Sequence, residues 1–126
     1  VSSKDAIPLV SKASLNQLNF IDKYLPGPYT FILKKSKIVP RHLTSGSVNV
    51  GVRVPKSEIA CSLAKIFPIT TTSANLSNKD TLDTPEEILK QLGCEVDLII
   101  DVGPLKSGNP STIIDLTGEE PVFVKR

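Results

Sequence analysis

The chain has 126 residues, 40% hydrophobic and 22% charged, with a formal net charge of +2. That length and balance fit one globular domain spanning residues 1–126 with a real core, and the mild charge argues against a dedicated polyanion binder. No apolar run reaches membrane-spanning length and the N-terminus carries no apolar leader, so no membrane association and a soluble, cytoplasmic location are expected. Cys61, Cys94 and the single His42 are too few for a structural zinc site, and both cysteines are expected to be reduced and packed. Methionine is absent throughout, position 1 included, so the chain is expected to be a piece of a longer protein.

In chain order, Ile7-Pro8-Leu9-Val10 reads as a short edge strand, because Pro8 cannot donate to a ladder. Ser14 followed by Gln17 forms a capping box, opening a helix whose stripe is Leu15, Leu18, Ile21 and Leu25 and which stops at Pro26. Pro26-Gly27-Pro28 forces a turn into a strand at Tyr29–Leu33. Lys34, Lys35, Lys37, Arg41 and His42 make the most basic stretch, a contact for phosphate or RNA or, more commonly, a solvated and mobile loop.

Ser47–Val54 has the clearest strand pattern. Val48, Val50, Val52 and Val54 point one way, while Ser47, Asn49, Gly51 and Arg53 point the other. Gly51 leaves room for approach to the sheet, and Arg53 offers a fixed cation that can fork onto a carboxylate or phosphate; a surface ion pair is the plainer role. Ser57 caps a helix with an apolar face of Ile59, Ala60, Leu63, Ala64 and Phe67, ending at Pro68.

Pro68–Ser73 reads as a strand that breaks into Ser-Ala-Asn, exposing hydroxyls where a core strand would bury branched carbons. With short links on both sides it is expected to lie parallel to Ser47–Val54, placing Arg53 and Ser73 at the carboxyl ends of neighbouring strands, where ligands gather in such sheets. Thr84-Pro85-Glu86-Glu87 opens a further helix, closed by Gly93. Val96–Val102 suits a buried central strand, and Ile113–Leu116 with Val122–Val124 reads as a hairpin.

The usual nucleotide, zinc-protease and acyl-transfer signatures are missing, and a single histidine makes a serine triad unsuitable. What remains is a set of small hydroxyls and an amide, Thr71, Ser73, Asn75, Ser111 and Thr112, with the cations Arg53, Lys125 and Arg126. Such groups hold a small polar substrate and a polyphosphate and act by orientation and charge stabilisation.

Four segments then carry a resemblance: Pro-Gly-Pro-Tyr-Thr at 26–30, Val-Gly-Val-Arg-Val-Pro at 50–55, Phe-Pro-Ile-Thr-Thr-Thr-Ser-Ala-Asn-Leu-Ser at 67–77, and Pro-Ser-Thr-Ile-Ile-Asp-Leu-Thr at 110–117. In this order they resemble the YrdC-like threonylcarbamoyl-AMP synthases, most of all the archaeal members. The resemblance implies an α/β fold, a twisted mixed sheet with flanking helices, here lacking the N-terminal strand-helix region. It also implies an enzyme, a nucleotidyltransferase that converts L-threonine, bicarbonate and ATP, with Mg2+ accompanying the nucleotide, into L-threonylcarbamoyladenylate and pyrophosphate. A threonylcarbamoyl-transfer complex would then pass the group to tRNA, itself a further partner. An RNA-binding module and a non-catalytic nucleotide-binding homologue are the alternatives.

By position, the resemblance assigns L-threonine to Arg53, Thr71 and Ser111, and ATP to Asn49, Ser73, Asn75, Thr81 and either Lys125 or Arg126. Asn75 would order its turn or touch phosphate. Asn78 replaces the family's glycine after Leu-Ser, a tolerable exchange because asparagine accepts left-handed backbone. Two family segments, Pro-Thr-[Asp/Glu]-Thr-[Val/Ile]-Tyr-Gly and Lys-x-Arg, are not in the chain. An N-terminally truncated domain, inactive or weak alone, is therefore expected.

Overall fold

The computed structural model describes the chain apart from residue 77 and residues 80–81, 94–95, 104–109 and 125–126. Its residues fall into two compact units, Val1–Thr70 with Pro110–Arg126, and Thr71–Asn109.

The first unit is built on a mixed four-stranded sheet: β1 (Tyr29–Lys34), β2 (Asn49–Val52), β3 (Thr112–Asp115) and β4 (Val122–Val124), in the order β2-β1-β3-β4. β1 runs antiparallel to β2 and parallel to β3, and β3 runs antiparallel to β4, the expected hairpin. Register sets the faces. Phe31 lies between Val52 and Ile114, and these three with Leu33 are buried on one face. Ile7, Val10, Ile21 and Leu25 from the helical segments join them in the core. Burying each such side chain contributes about 1.5–3 kcal/mol. Phe20, Tyr24, Tyr29, Phe31 and Phe123 extend this layer in tilted and edge-on contacts, with centroids 4.9–6.5 Å apart.

Helix α1 (Ile7–Val10) replaces the expected edge strand. Pro8 sits in the first turn, where no amide donor is required, and Ile7 and Val10 are buried while Pro8 and Leu9 are exposed, a spacing of three rather than two. Helix α2 (Leu15–Ile21) has the predicted capping box: Gln17 N donates to Ser14 Oγ at 3.3 Å, and Ser14 N donates to Gln17 Oε1 at 2.8 Å. Its stripe is Leu18, Ile21 and Leu25; Leu15, in the first turn, is exposed. A cis Leu25–Pro26 bond leads into β1.

Helix α3 (Glu58–Leu63) is capped by Ser57 as expected, its hydroxyl accepting from Ala60 N. Of the predicted apolar face only Ala64 is buried; Ile59, Leu63 and Phe67 are exposed. Val48 is exposed too, although its carbonyl still accepts from Lys35 N at 2.9 Å.

The Pro68–Ser73 strand does not form. The segment has no ladder partner among the described residues, and β2 takes β1 as its neighbour instead of running parallel to it. Pro68 lacks a donor, and five hydroxyl or apolar residues that stay exposed supply little burial to hold a ladder.

In the second unit, helix α4 (Pro85–Leu92) matches expectation. Thr84 Oγ1 accepts from Glu87 N, and Gly93 closes the helix at φ 68°. Val96–Val102 is not a strand: Leu98, Ile99, Ile100 and Val102 are all exposed, and the Asp101 carboxylate turns the chain by accepting from Gly103 N at 2.8 Å. An apolar run becomes a strand only beside another strand, and none is present there among the described residues.

Candidate functional site

The sheet face opposite the core carries the polar side chains. Alternation puts Thr30 and Ile32 of β1, Asn49 and Gly51 of β2, Arg53 just beyond it, and Ser111, Ile113 and Asp115 at β3 on this side. Three predicted site residues are thereby placed on one surface: Arg53, Asn49 and Ser111.

Arg53 is exposed, but its base is fixed. Its Nε donates to the Gly27 carbonyl at 3.2 Å, and Gly27 N donates back to Val54 O at 3.0 Å. The Pro-Gly-Pro turn thus holds the guanidinium by one edge. Among the described residues its two terminal nitrogens have no partner, which leaves the fork that matches a carboxylate or phosphate. The amino group of Val1 donates to the Arg53 carbonyl at 2.9 Å, and burial pushes that amine's pKa below its ordinary value.

Gly51 keeps the surface beside Arg53 low. A Cβ there would come within 3.3 Å of Thr30 Cγ2 and 3.6 Å of Ile32 Cδ1. Asn49 is half-buried four residues from Arg53, a span of about 13 Å along an extended strand, so the two can address different parts of one ligand.

Ser111, immediately before β3, is half-buried. Its Oγ lies 2.8 Å from Thr30 Oγ1, a hydrogen bond that joins residues 81 apart in sequence. Thr30 is a residue that strand patterning passed over, although it closes the Pro-Gly-Pro-Tyr-Thr segment. The signal was available in alternation, which sets Thr30 against the buried Phe31. Asp115 shares this face, but its Oδ1 accepts from Thr117 N and Thr117 Oγ1 at 2.8 and 2.7 Å, so it shapes the turn after β3.

In the second unit, Thr71 and Ser73 are exposed. Asn75 spends its amide NH2 on two loop carbonyls, Leu76 O at 3.0 Å and Lys79 O at 2.7 Å. Flipping the amide would set its oxygen against both carbonyls, so the orientation is chemically fixed. Asn75 therefore orders its turn, and only its buried Oδ1, an acceptor, is left without a partner. Asn78 takes the left-handed conformation read from the sequence, φ 65°. Thr81, Lys125 and Arg126 lie outside the described residues.

The basic stretch is tied down. Ser36 N donates to Val10 O, Ser36 Oγ to Leu9 O, and Lys35 Nζ to Val39 O at 2.7 Å, while Arg41–Thr44 forms a 3-10 turn. Lys34, Lys37, Arg41 and His42 remain exposed.

The Sua5/YciO/YrdC model, described as telomere recombination, matches residues 1–126. The chain belongs to the Sua5/YciO/YrdC family. A family relative from Methanocaldococcus jannaschii is 38% identical over 124 residues, 97% of this chain and 58% of its own length. Threonylcarbamoyl-AMP synthase of Pyrococcus abyssi is 34% identical over 128 residues, 99% of this chain and 38% of its own length. The chain thus spans about two fifths to three fifths of these relatives.

Solved members of the family share the fold. Pyrococcus abyssi Sua5 in complex with L-threonine matches with a TM-score of 0.87 at 33% identity, over 98% of this chain and 37% of that one. Escherichia coli YciO matches with a TM-score of 0.86 at 37% identity, over 98% and 61%. The mixed sheet with flanking helices is the architecture expected. Among the described residues no helix is long and apolar enough to cross a membrane, and no group of three or more His, Cys, Asp or Glu could hold a metal.

Proposed function

We propose that this chain carries part of the substrate site of an L-threonylcarbamoyladenylate synthase. The observation that carries the reading is Arg53: a guanidinium braced through Nε on Gly27 O, with its fork open beside Gly51 and a hydroxyl pair on the same face. Such a fork takes the carboxylate of an amino acid bidentately, and neighbouring hydroxyls take a side-chain hydroxyl. The Pyrococcus relative solved with L-threonine supports threonine as that amino acid.

In this reading the threonine amine is carboxylated by bicarbonate with loss of water. A carbamate oxygen then attacks the α-phosphorus of ATP and pyrophosphate leaves. Arg53 and Ser111 hold the amino acid, and the family resemblance assigns Thr71 to it as well. Asn49 and Ser73 contact the nucleotide, with Thr81 and Lys125 or Arg126. Asn75 orders the turn that follows Ser73. Catalysis is orientation and charge stabilisation, with no covalent enzyme intermediate. Magnesium enters with ATP, as MgATP. The product is passed in the cytoplasm to a complex that transfers the threonylcarbamoyl group to tRNA.

The test is pyrophosphate release dependent on ATP and bicarbonate, with L-threonine against L-serine, by the chain and by a form extended at its N-terminus. Threonine-stimulated release that disappears in Arg53→Ala is expected. No stimulation in the extended form sinks the reading, and undiminished threonine dependence in Arg53→Ala removes Arg53 from it. Threonine binding should weaken only modestly with salt, whereas RNA binding by Lys34–His42 would weaken steeply.

A further inference from the structure

We infer that Thr30 sets the position and proton direction of the Ser111 hydroxyl, and so determines specificity for an amino acid that bears a side-chain hydroxyl. The inference rests on the threonine-binding reading of Ser111 and Arg53 and adds a residue to it.

Thr30 is held from two sides. Its Cγ2 methyl lies over Gly51, close enough that a Cβ at that position would stand 3.3 Å away. Its Oγ1 lies 2.8 Å from Ser111 Oγ. A β-branched side chain in a strand has restricted χ1, so a methyl seated on β2 aims the hydroxyl at β3. Continuing the β1–β2 register by one residue from the Phe31–Val52 pair sets Thr30 across from Arg53. One residue therefore lies between the strands that carry the cation and the serine, with its methyl against Gly51 and its hydroxyl on Ser111.

The hydrogen bond uses one of the two hydroxyl protons, and the other remains for a ligand. Ser111 directly precedes β3, and among the described residues Thr30 Oγ1 is the partner of its hydroxyl, so Thr30 fixes the serine oxygen. A ligand hydroxyl completes the chain by donating to or accepting from the pair. A ligand with a methyl in that place leaves half-buried polar groups unpaired, which is how hydroxyl-reading sites reject apolar isosteres.

The experiment compares Thr30→Val, which keeps shape and the methyl but removes the hydroxyl, with Thr30→Ser, which keeps the hydroxyl. Ser111→Ala and the Thr30→Val/Ser111→Ala double variant complete a cycle. In the pyrophosphate assay on the extended protein, Thr30→Val should raise KM for L-threonine roughly 5- to 10-fold, the loss of about one hydrogen bond. KM for ATP should stay within about 2-fold, Thr30→Ser should recover most of the loss, and the double variant should match Ser111→Ala because Thr30 acts through the serine.

The inference falls if Thr30→Val keeps the wild-type KM for threonine, if Thr30→Ser is as impaired as Thr30→Val, or if losses at 30 and 111 simply add. If Thr30→Val does not fold, Thr30→Ser with Ser111→Ala still decides: a serine at 30 that loses threonine affinity as fully as Ser111→Ala overturns it. Wild-type protein that ignores threonine removes the synthase reading as well. Threonine use that depends on Arg53 but not on Thr30 removes this inference alone.

Discussion

Gly27→Ala tests whether the Pro-Gly-Pro turn braces Arg53. A Cβ on Gly27 would lie 2.7 Å from the Tyr24 carbonyl oxygen, against 3.4 Å for the near limit of ordinary contact, an overlap of 0.7 Å. The oxygen belongs to backbone and cannot rotate away. Tyr24 N and Leu25 N both donate to Ile21 O, at 3.0 and 3.1 Å, so the turn below it is also pinned. Relief must come from moving residue 27, whose N and O bond to Val54 and Arg53. Such forced shifts in packed backbone cost about 1–3 kcal/mol. With an m-value of about 2 kcal/mol/M, the urea midpoint should fall by about 0.5–1.5 M. Gly118→Ala is the control: its nearest neighbour beyond the adjoining residues is Glu120 O at 4.0 Å, and its effect should stay within about 0.5 kcal/mol. KM for L-threonine should also rise in Gly27→Ala, because the Arg53 brace moves with the carbonyl. A midpoint no different from the Gly118→Ala control refutes the steric reasoning. A fall in stability with unchanged KM refutes the brace.

Arg53→Lys should lose threonine stimulation nearly as fully as alanine, measured in the same assay, because a lysine cannot bond Gly27 O through Nε and present a fork as well. Ile114→Ala, at a fully buried position of β3 between Phe31 and Phe123, should cost about 2–5 kcal/mol in urea unfolding. Gln17→Glu keeps the capping acceptor for Ser14 N but replaces the Nε2 that donates to Leu116 O at 2.6 Å. A local capping rule makes that exchange neutral; the structure makes it cost about 1–2 kcal/mol at neutral pH, with a smaller deficit near pH 4, where the carboxyl can again donate.

Features set by a few neighbouring residues are legible in the sequence. The Ser14–Gln17 box, the Ser57 and Thr84 caps, the Gly93 stop and the left-handed Asn78 each depend on bonds or dihedrals within one turn. β2 was legible from its valines, since alternation on a half-buried strand is a local pattern with a definite meaning. Strands at Ile7–Val10, Pro68–Ser73 and Val96–Val102 were not, because β-branched and apolar runs state a willingness to pair without naming a partner. The site divides in the same way. Arg53 and Gly51 could be read from the exposed side of β2, whereas Thr30 gains its meaning only from Ser111, far away along the chain.

That distance has a consequence for how the chain is made and changed. In the parallel β1–β3 pair, Thr30 stands beside Ile113, so the middle of the sheet closes a loop of about 80 residues. Phe31 has no Ile114 beside it until that late segment has been synthesised, and the hydroxyl pair can form only in a chain that has closed on itself. Closure entropy grows only logarithmically, about 0.6 kcal/mol for each doubling of the loop. Insertions within 71–109 should therefore burden the β1–β3 ladder very little, which lets that stretch vary in length while the Thr30–Ser111 geometry stays the same.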